Sequence, residues 1–118
     1  MSAARTVTVP TLDHGPVTLP EPDWCAGHVG QPVEVRADLH HAAPLDVPDG
    51  LLDLVAELVA FPYGETPVPV SVYVELVPVA VTLDPDGLRR YAAALAARAT
   101  LLRRLADRLT VLRSGGAW

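Results

Sequence analysis

An α+β fold is what this chain predicts: a small antiparallel sheet, made of an N-terminal hairpin and two or three Val-rich strands, packed against one long C-terminal helix. Three observations carry that expectation. Residues 84–113 keep a helical repeat of leucines, residues 51–83 alternate apolar and polar side chains, and residues 6–19 hold two short alternating runs around a glycine-containing turn. Residues 21–48 have no clear period, and this irregular segment concentrates the side chains able to bind a metal.

Taken in order, Thr6–Val9 and Val17–Leu19 read as the two arms of a hairpin spanning residues 1–20, with Thr11-Leu12-Asp13-His14-Gly15 between them. Pro10, Pro16 and Pro20 cannot donate to a ladder and demote both arms to edge or strand-end positions. From Pro20 to Pro48 the five prolines leave a stretch too long to be an idle loop. Leu51–Phe61 is readable two ways. A helix would gather Leu51, Leu54, Val55 and Leu58 on one face; a strand would set Leu52, Leu54, Ala56 and Leu58 against Asp53, Val55, Glu57 and Val59. The sharp stop at Pro62-Tyr63-Gly64 and the alternating Val68–Leu76 behind it favour the strand, with Val79–Leu83 extending the sheet past Pro78. For the helix, Asp84 supplies an N-cap, Pro85 suits the first helical position, and Ser114-Gly115-Gly116 ends the pattern. Trp118 reads as part of a frayed end rather than as a docking residue.

A rod of about 40 Å outruns a sheet of strands about 20 Å long, so part of its apolar stripe needs another cover. Leu88, Tyr91, Leu95, Leu102, Leu105, Leu109 and Leu112 step by threes, fours and one seven, the spacing of a coiled-coil seam, which predicts a homodimer. Arg89, Arg90, Arg104 and Arg108 fall roughly opposite and are the candidates for phosphate contacts.

Composition bounds the rest. With 118 residues, half of them apolar and 19% charged, the chain makes one domain and not a disordered polymer. One cysteine excludes an intramolecular disulfide framework, no run of about twenty apolar residues is present, and no signal sequence is apparent, so a soluble cytoplasmic protein is expected. Lys, Asn and Ile are absent, which reflects GC-rich coding rather than chemistry. Residues 1–87 hold 13 acids against Arg5 and Arg36, whereas residues 88–118 hold seven arginines against Asp107. An acidic body with a basic arm allows nucleic-acid binding, but a chain of net charge −5 is repelled by phosphate at long range, and mutual attraction of opposite halves explains the asymmetry more simply.

The irregular segment reads P-D-W-C-A-G-H, then A-D-L-H-H. Cys25 and His28 are spaced C-x2-H, with Gly27 free to turn the backbone between them, and Asp38 and His41 repeat the spacing as D-x2-H. Thiolate, two imidazoles and a carboxylate match zinc in charge, softness and tetrahedral count. His40 is the rival second histidine, and His14 completes a set that omits Asp38. A metal would also offset the ordering entropy of a segment poor in apolar side chains.

The run V-T-V-P-T-x-D-x-G-x-V-T-x-P-E-P-x-W-C-x-G-H, followed by D-x2-H, resembles a family of small actinobacterial proteins of unknown function. The likeness continues through the strand ending in F-P-Y, the Val-rich strand and the Ala/Leu/Arg-rich helix, so it covers nearly the whole chain. The resemblance implies Asp38 and His41, rather than His40, as the second ligand pair. It implies no activity.

No H-E-x2-H, G-x-S-x-G, phosphate loop or C-x2-C redox pair occurs, and four protein ligands would close a zinc site. The expectation is therefore a structural zinc in a non-catalytic binding or adaptor protein that pairs with itself and with another protein. A nucleic-acid-associated regulator is the alternative, and a zinc-dependent enzyme the second alternative.

Overall fold

The computed structural model describes residues 5–50, 52–78 and 80–118. Its elements are β1 (Thr6–Thr11), β2 (Gly15–Pro20), a 3-10 turn at Arg36–Asp38, β3 (His41–Pro44), β4 (Asp53–Phe61), β5 (Val68–Val77) and α1 (Pro85–Arg113). The fold is α+β, with two small sheets and one long C-terminal helix. The hairpin forms a two-stranded sheet of its own instead of joining the Val-rich strands, which make a second sheet in the order β3-β4-β5.

The chain divides into two compact units: the described part of Met1–Pro44 with Glu57–Ser71, and Leu45–Ala56 with Val72–Trp118. In the first unit, β1 and β2 pair antiparallel with Thr8 opposite Thr18 and Pro10 opposite Pro16. Pro10, Pro16 and Pro20 share one parity of this ladder, the parity whose amides point away from the partner strand, so the three missing N–H groups cost no ladder bond. At the same parity Thr8 and Thr18 join their hydroxyls at 2.7 Å. The irregular segment contains a strand that its lack of period concealed: β3 pairs antiparallel with β4, His41 opposite Ala60 and Ala43 opposite Leu58. Leu39, His41 and Ala43 point inward and Leu19 and Leu58 are fully buried. Each such leucine is worth roughly 1.5–3 kcal/mol.

In the second unit Leu54 and Ala56 of β4 pack against Leu105 of α1, with Leu45, Val47, Val72, Leu101 and Trp118 around them. The strand reading of Leu51–Phe61 therefore holds over Asp53–Phe61, with Leu52, Leu54, Ala56 and Leu58 all buried; Leu51 lies outside the described residues. Residues 80–83 are not a strand and Val79 is outside the described residues, so the predicted extension past Pro78 is corrected: β5 ends at Val77. Trp118 is corrected too. It packs against the core, and Arg108 lies 4.3 Å over its ring.

The helix begins where its capping residues demand. Asp84 Oδ1 accepts the Gly87 N–H at 2.7 Å and Pro85 occupies the first turn. Its leucine stripe, however, splits. Leu105 is 6% exposed within this unit's own core, and Tyr91, Leu109 and Leu112 are half-buried, so these four do not form a free seam as predicted. Leu88, Leu95 and Leu102 remain exposed. Between them and the core sits Arg98, buried, donating from Nε to Leu52 O at 2.8 Å and from Nη1 to Pro48 O at 2.7 Å. No helix of the described residues is long and apolar enough to cross a membrane.

Candidate metal centre

Three turns of the first unit deliver the candidate ligands. Glu21 follows β2 at the inward parity of Leu19, and its amide is held by Arg5 O at 2.8 Å. Cys25 closes a turn onto Pro22 O at 3.0 Å, and Ala26 N–H then bonds Ala42 O at 3.0 Å, which lays this loop along β3. Gly27 takes φ +99°, a conformation costly for any residue with a Cβ, and so turns His28 back over Cys25. His41 opens β3 from the other side.

The result is a group of Glu21, Cys25, His28 and His41 whose ligand atoms all lie within 4.8 Å of one another. Cys25 Sγ is 3.7 Å from His28 Nε2, and His28 Nε2 is 3.3 Å from Glu21 Oε1. Metal–nitrogen and metal–oxygen bonds of about 2.0–2.1 Å and metal–sulfur bonds of about 2.3 Å, set at the tetrahedral angle, give edges of about 3.6 Å for N···S and about 3.3 Å for N···O. The observed edges agree with both. This group could therefore hold a metal ion.

The surroundings point the same way. Glu21 Oε1 and His41 Nδ1 are buried with no hydrogen-bond partner. An unpaired buried polar atom costs about 1–3 kcal/mol, and here two converge on one spot. Gln31 Oε1 lies 3.1 Å from His28 Nδ1; with the ring hydrogen on Nδ1 and donated to Gln31, Nε2 would turn its lone pair to Cys25 and Glu21. Arg5 Nε stands 3.6 Å from the outer oxygen of Glu21 and Arg5 Nη2 donates to Pro22 O at 3.2 Å, steadying the carboxylate from behind. The Gly27 N–H points at Cys25 Sγ from 3.4 Å. Burial pushes the Cys25 thiol up from its ordinary value, with the Glu21 carboxylate adding to the shift. Burial also pushes His41 down, towards the neutral imidazole that a ligand must be.

Of the predicted quartet, Cys25, His28 and His41 come together and Asp38 does not. Asp38 ends the 3-10 turn that precedes β3, and the chain leaves it exposed: Leu39, His41 and Ala43 point inward, whereas Asp38 is exposed and His40 half-exposed. His40 is held elsewhere, its Nδ1 3.1 Å from Asp38 O and 3.4 Å from Glu34 Oε2, with its ring stacked on Phe61. His14 is exposed beside Asp13, 3.1 Å away. Glu21 supplies the carboxylate instead. Its signal was legible as an acid two residues past Leu19, on the buried parity of β2; Gln31 and Arg5 had no comparable signal.

Residues 6–111 match the family described as domain of unknown function DUF6907. The chain belongs to that family. No curated protein and no solved structure matches this DUF6907 chain. All four residues of the candidate centre lie inside the matched span of DUF6907, as do Leu88, Leu95 and Leu102 on the helix. The arginines proposed for phosphate contact are exposed, but Arg89 bonds Asp86 at 2.8 Å and Arg108 covers Trp118, so two of the four are engaged within the chain.

Proposed function

We propose that this protein is a small cytoplasmic, non-catalytic binding module whose ligand-bearing loop is stapled to β3 by a structural zinc ion on Glu21, Cys25, His28 and His41. The observation that carries the reading is the pair of orphaned buried atoms, Glu21 Oε1 and His41 Nδ1, within a group two of whose six edges, Cys25–His28 and His28–Glu21, fit a tetrahedral ion. Carboxylate, thiolate and two neutral imidazoles bring charge −2 to a divalent cation, and a borderline-soft N/O/S set suits zinc better than calcium or magnesium. Four protein ligands leave a tetrahedral ion no open position, which supports stapling over catalysis. The partner is expected to be another protein, since the segment around the centre is acidic and offers phosphate little.

The test is metal content by plasma mass spectrometry on untagged protein purified without chelator. One zinc per chain is expected, falling to near zero in Glu21→Ala and Cys25→Ala and unchanged in Asp38→Ala. Folded wild-type protein without metal, even after zinc addition, would overturn the reading. Loss of metal in Asp38→Ala with retention in Glu21→Ala would restore the other carboxylate.

A further inference from the structure

The helix face left uncovered by its own unit has an order of its own. Leu88, Ala92, Leu95, Ala99, Leu102 and Ala106 follow one another by alternate steps of four and three, the period of a helix seam. The leucines are large and exposed, at 57%, 42% and 39% in chain order. Ala92 and Ala106 are exposed and Ala99 is half-buried, so the leucines alternate with positions where a second backbone can approach closely. This face differs from the predicted seam, because Leu105 is taken by Leu54 and Ala56.

We infer that this face pairs with the same face of a second copy, antiparallel, about a two-fold axis passing near Ala99. The pattern is its own complement on reversal: Leu95 meets Leu102 of the second copy, Leu88 meets the turn that carries Ala106 of the second copy, and the alanines fall between. An isologous interface requires this self-complementarity, and a heterologous partner does not. Charge agrees with the same register. Arg89 directly follows Leu88 and Asp107 directly follows Ala106, so both lie on one side of the stripe, and both are exposed. Antiparallel pairing brings Arg89 beside Asp107 of the second copy, twice by symmetry. A parallel pairing puts these two residues on opposite flanks, at opposite ends. The surface thus selects a second copy and one orientation, independently of whether the metal centre is filled.

The experiment is sedimentation of the full chain at tens of micromolar, followed by cysteine cross-linking. Wild type is expected at twice the 12.5 kDa chain mass and Leu95→Arg at the monomer mass. Arg89→Asp, a surface change that spares the fold, is expected to weaken the dimer at least tenfold, and the swap Arg89→Asp with Asp107→Arg to restore it. Under air oxidation Ala99→Cys should give a disulfide-linked dimer on a non-reducing gel. Ala92→Cys should not, since its counterpart lies about 20 Å along the rod. A monomeric wild type, a Leu95→Arg dimer, cross-linking of both cysteine variants, or failure of the swap to restore pairing would each overturn the inference.

Discussion

At the scale of single residues, parity along extended chain decides what a side chain does here. Asp38 and Glu21 are both acids near Cys25 in sequence, and only Glu21 continues an inward-facing row, that of Leu19. Asp13 shows a different use of a carboxylate. It accepts the Arg36 N–H at 2.8 Å and so ties the hairpin turn to the segment that leads into β3. That backbone hydrogen bond, helped by His14, holds its carboxyl below the ordinary 3.8. A depressed folded value means a stabilising contribution that is complete above the unfolded value and disappears as pH falls through the folded one. Asp13→Asn is therefore expected to lower the urea midpoint at pH 6, and the gap from wild type should close as the pH falls from the ordinary 3.8 downward. A gap that stays constant across that range would show that Asp13 does not act through its charge. For the site, C-x2-H was legible because local spacing sets it. The partner acid was not, because choosing between Glu21 and Asp38 needs the register of β2 and β3, which long-range pairing decides.

At the scale of elements, α1 was the most legible piece, since its cap, first-turn proline and terminal glycines all act within a few residues: Asp84 caps Gly87 and Gly115 turns at φ +94°. The direction in which it presents its leucines was not legible, because both Leu102 and Leu105 fit one apolar stripe and only packing on β4 separates them. What rotates the helix to this angle includes an arginine on the inward row. Arg98 sits between Tyr91 and Leu105, seven residues from each, and caps the carbonyls of Leu52 and Pro48. Gly50 makes room for it: a Cβ there would stand 2.8 Å from Arg98 Nη2. Truncation would strand two carbonyls as well as remove the charge-assisted bonds. Arg98→Ala is expected to cost about 2–4 kcal/mol by urea unfolding, Arg98→Lys less, and the exposed Arg104→Ala under about 0.5 kcal/mol. Equal effects at positions 98 and 104 would remove Arg98 from the account of the helix angle. The strand β3 was missed for a related reason: four residues are too few to show a period, and its pairing with β4 reaches across sequence.

At the scale of the whole molecule, the two units draw on different sources of stability, and metal removal should separate them. The first unit buries Leu19, Leu39 and Leu58, but its residues 21–35 contribute few apolar side chains and fold around the four candidate ligands. The second holds its helix through Leu54, Ala56, Leu105 and the Arg98 caps, none of which involves a candidate ligand. Ligand binding to the folded state stabilises it by RT ln(1 + [L]/Kd), about 4 kcal/mol at a thousandfold excess over Kd, and a chelator withdraws that contribution from the elements the ion joins. Hydrogen exchange after chelation is therefore expected to accelerate in residues 21–35 and in β3, where Ala26 N–H bonds Ala42 O, while the amides of α1 keep their protection and the helical circular dichroism persists. Acceleration spread evenly over α1 and the loop would mean that the ion supports the whole chain as one cooperative unit. No acceleration anywhere would mean that Glu21, Cys25, His28 and His41 hold together without an ion, with the cost of Glu21 Oε1 and His41 Nδ1 carried by the rest of the fold.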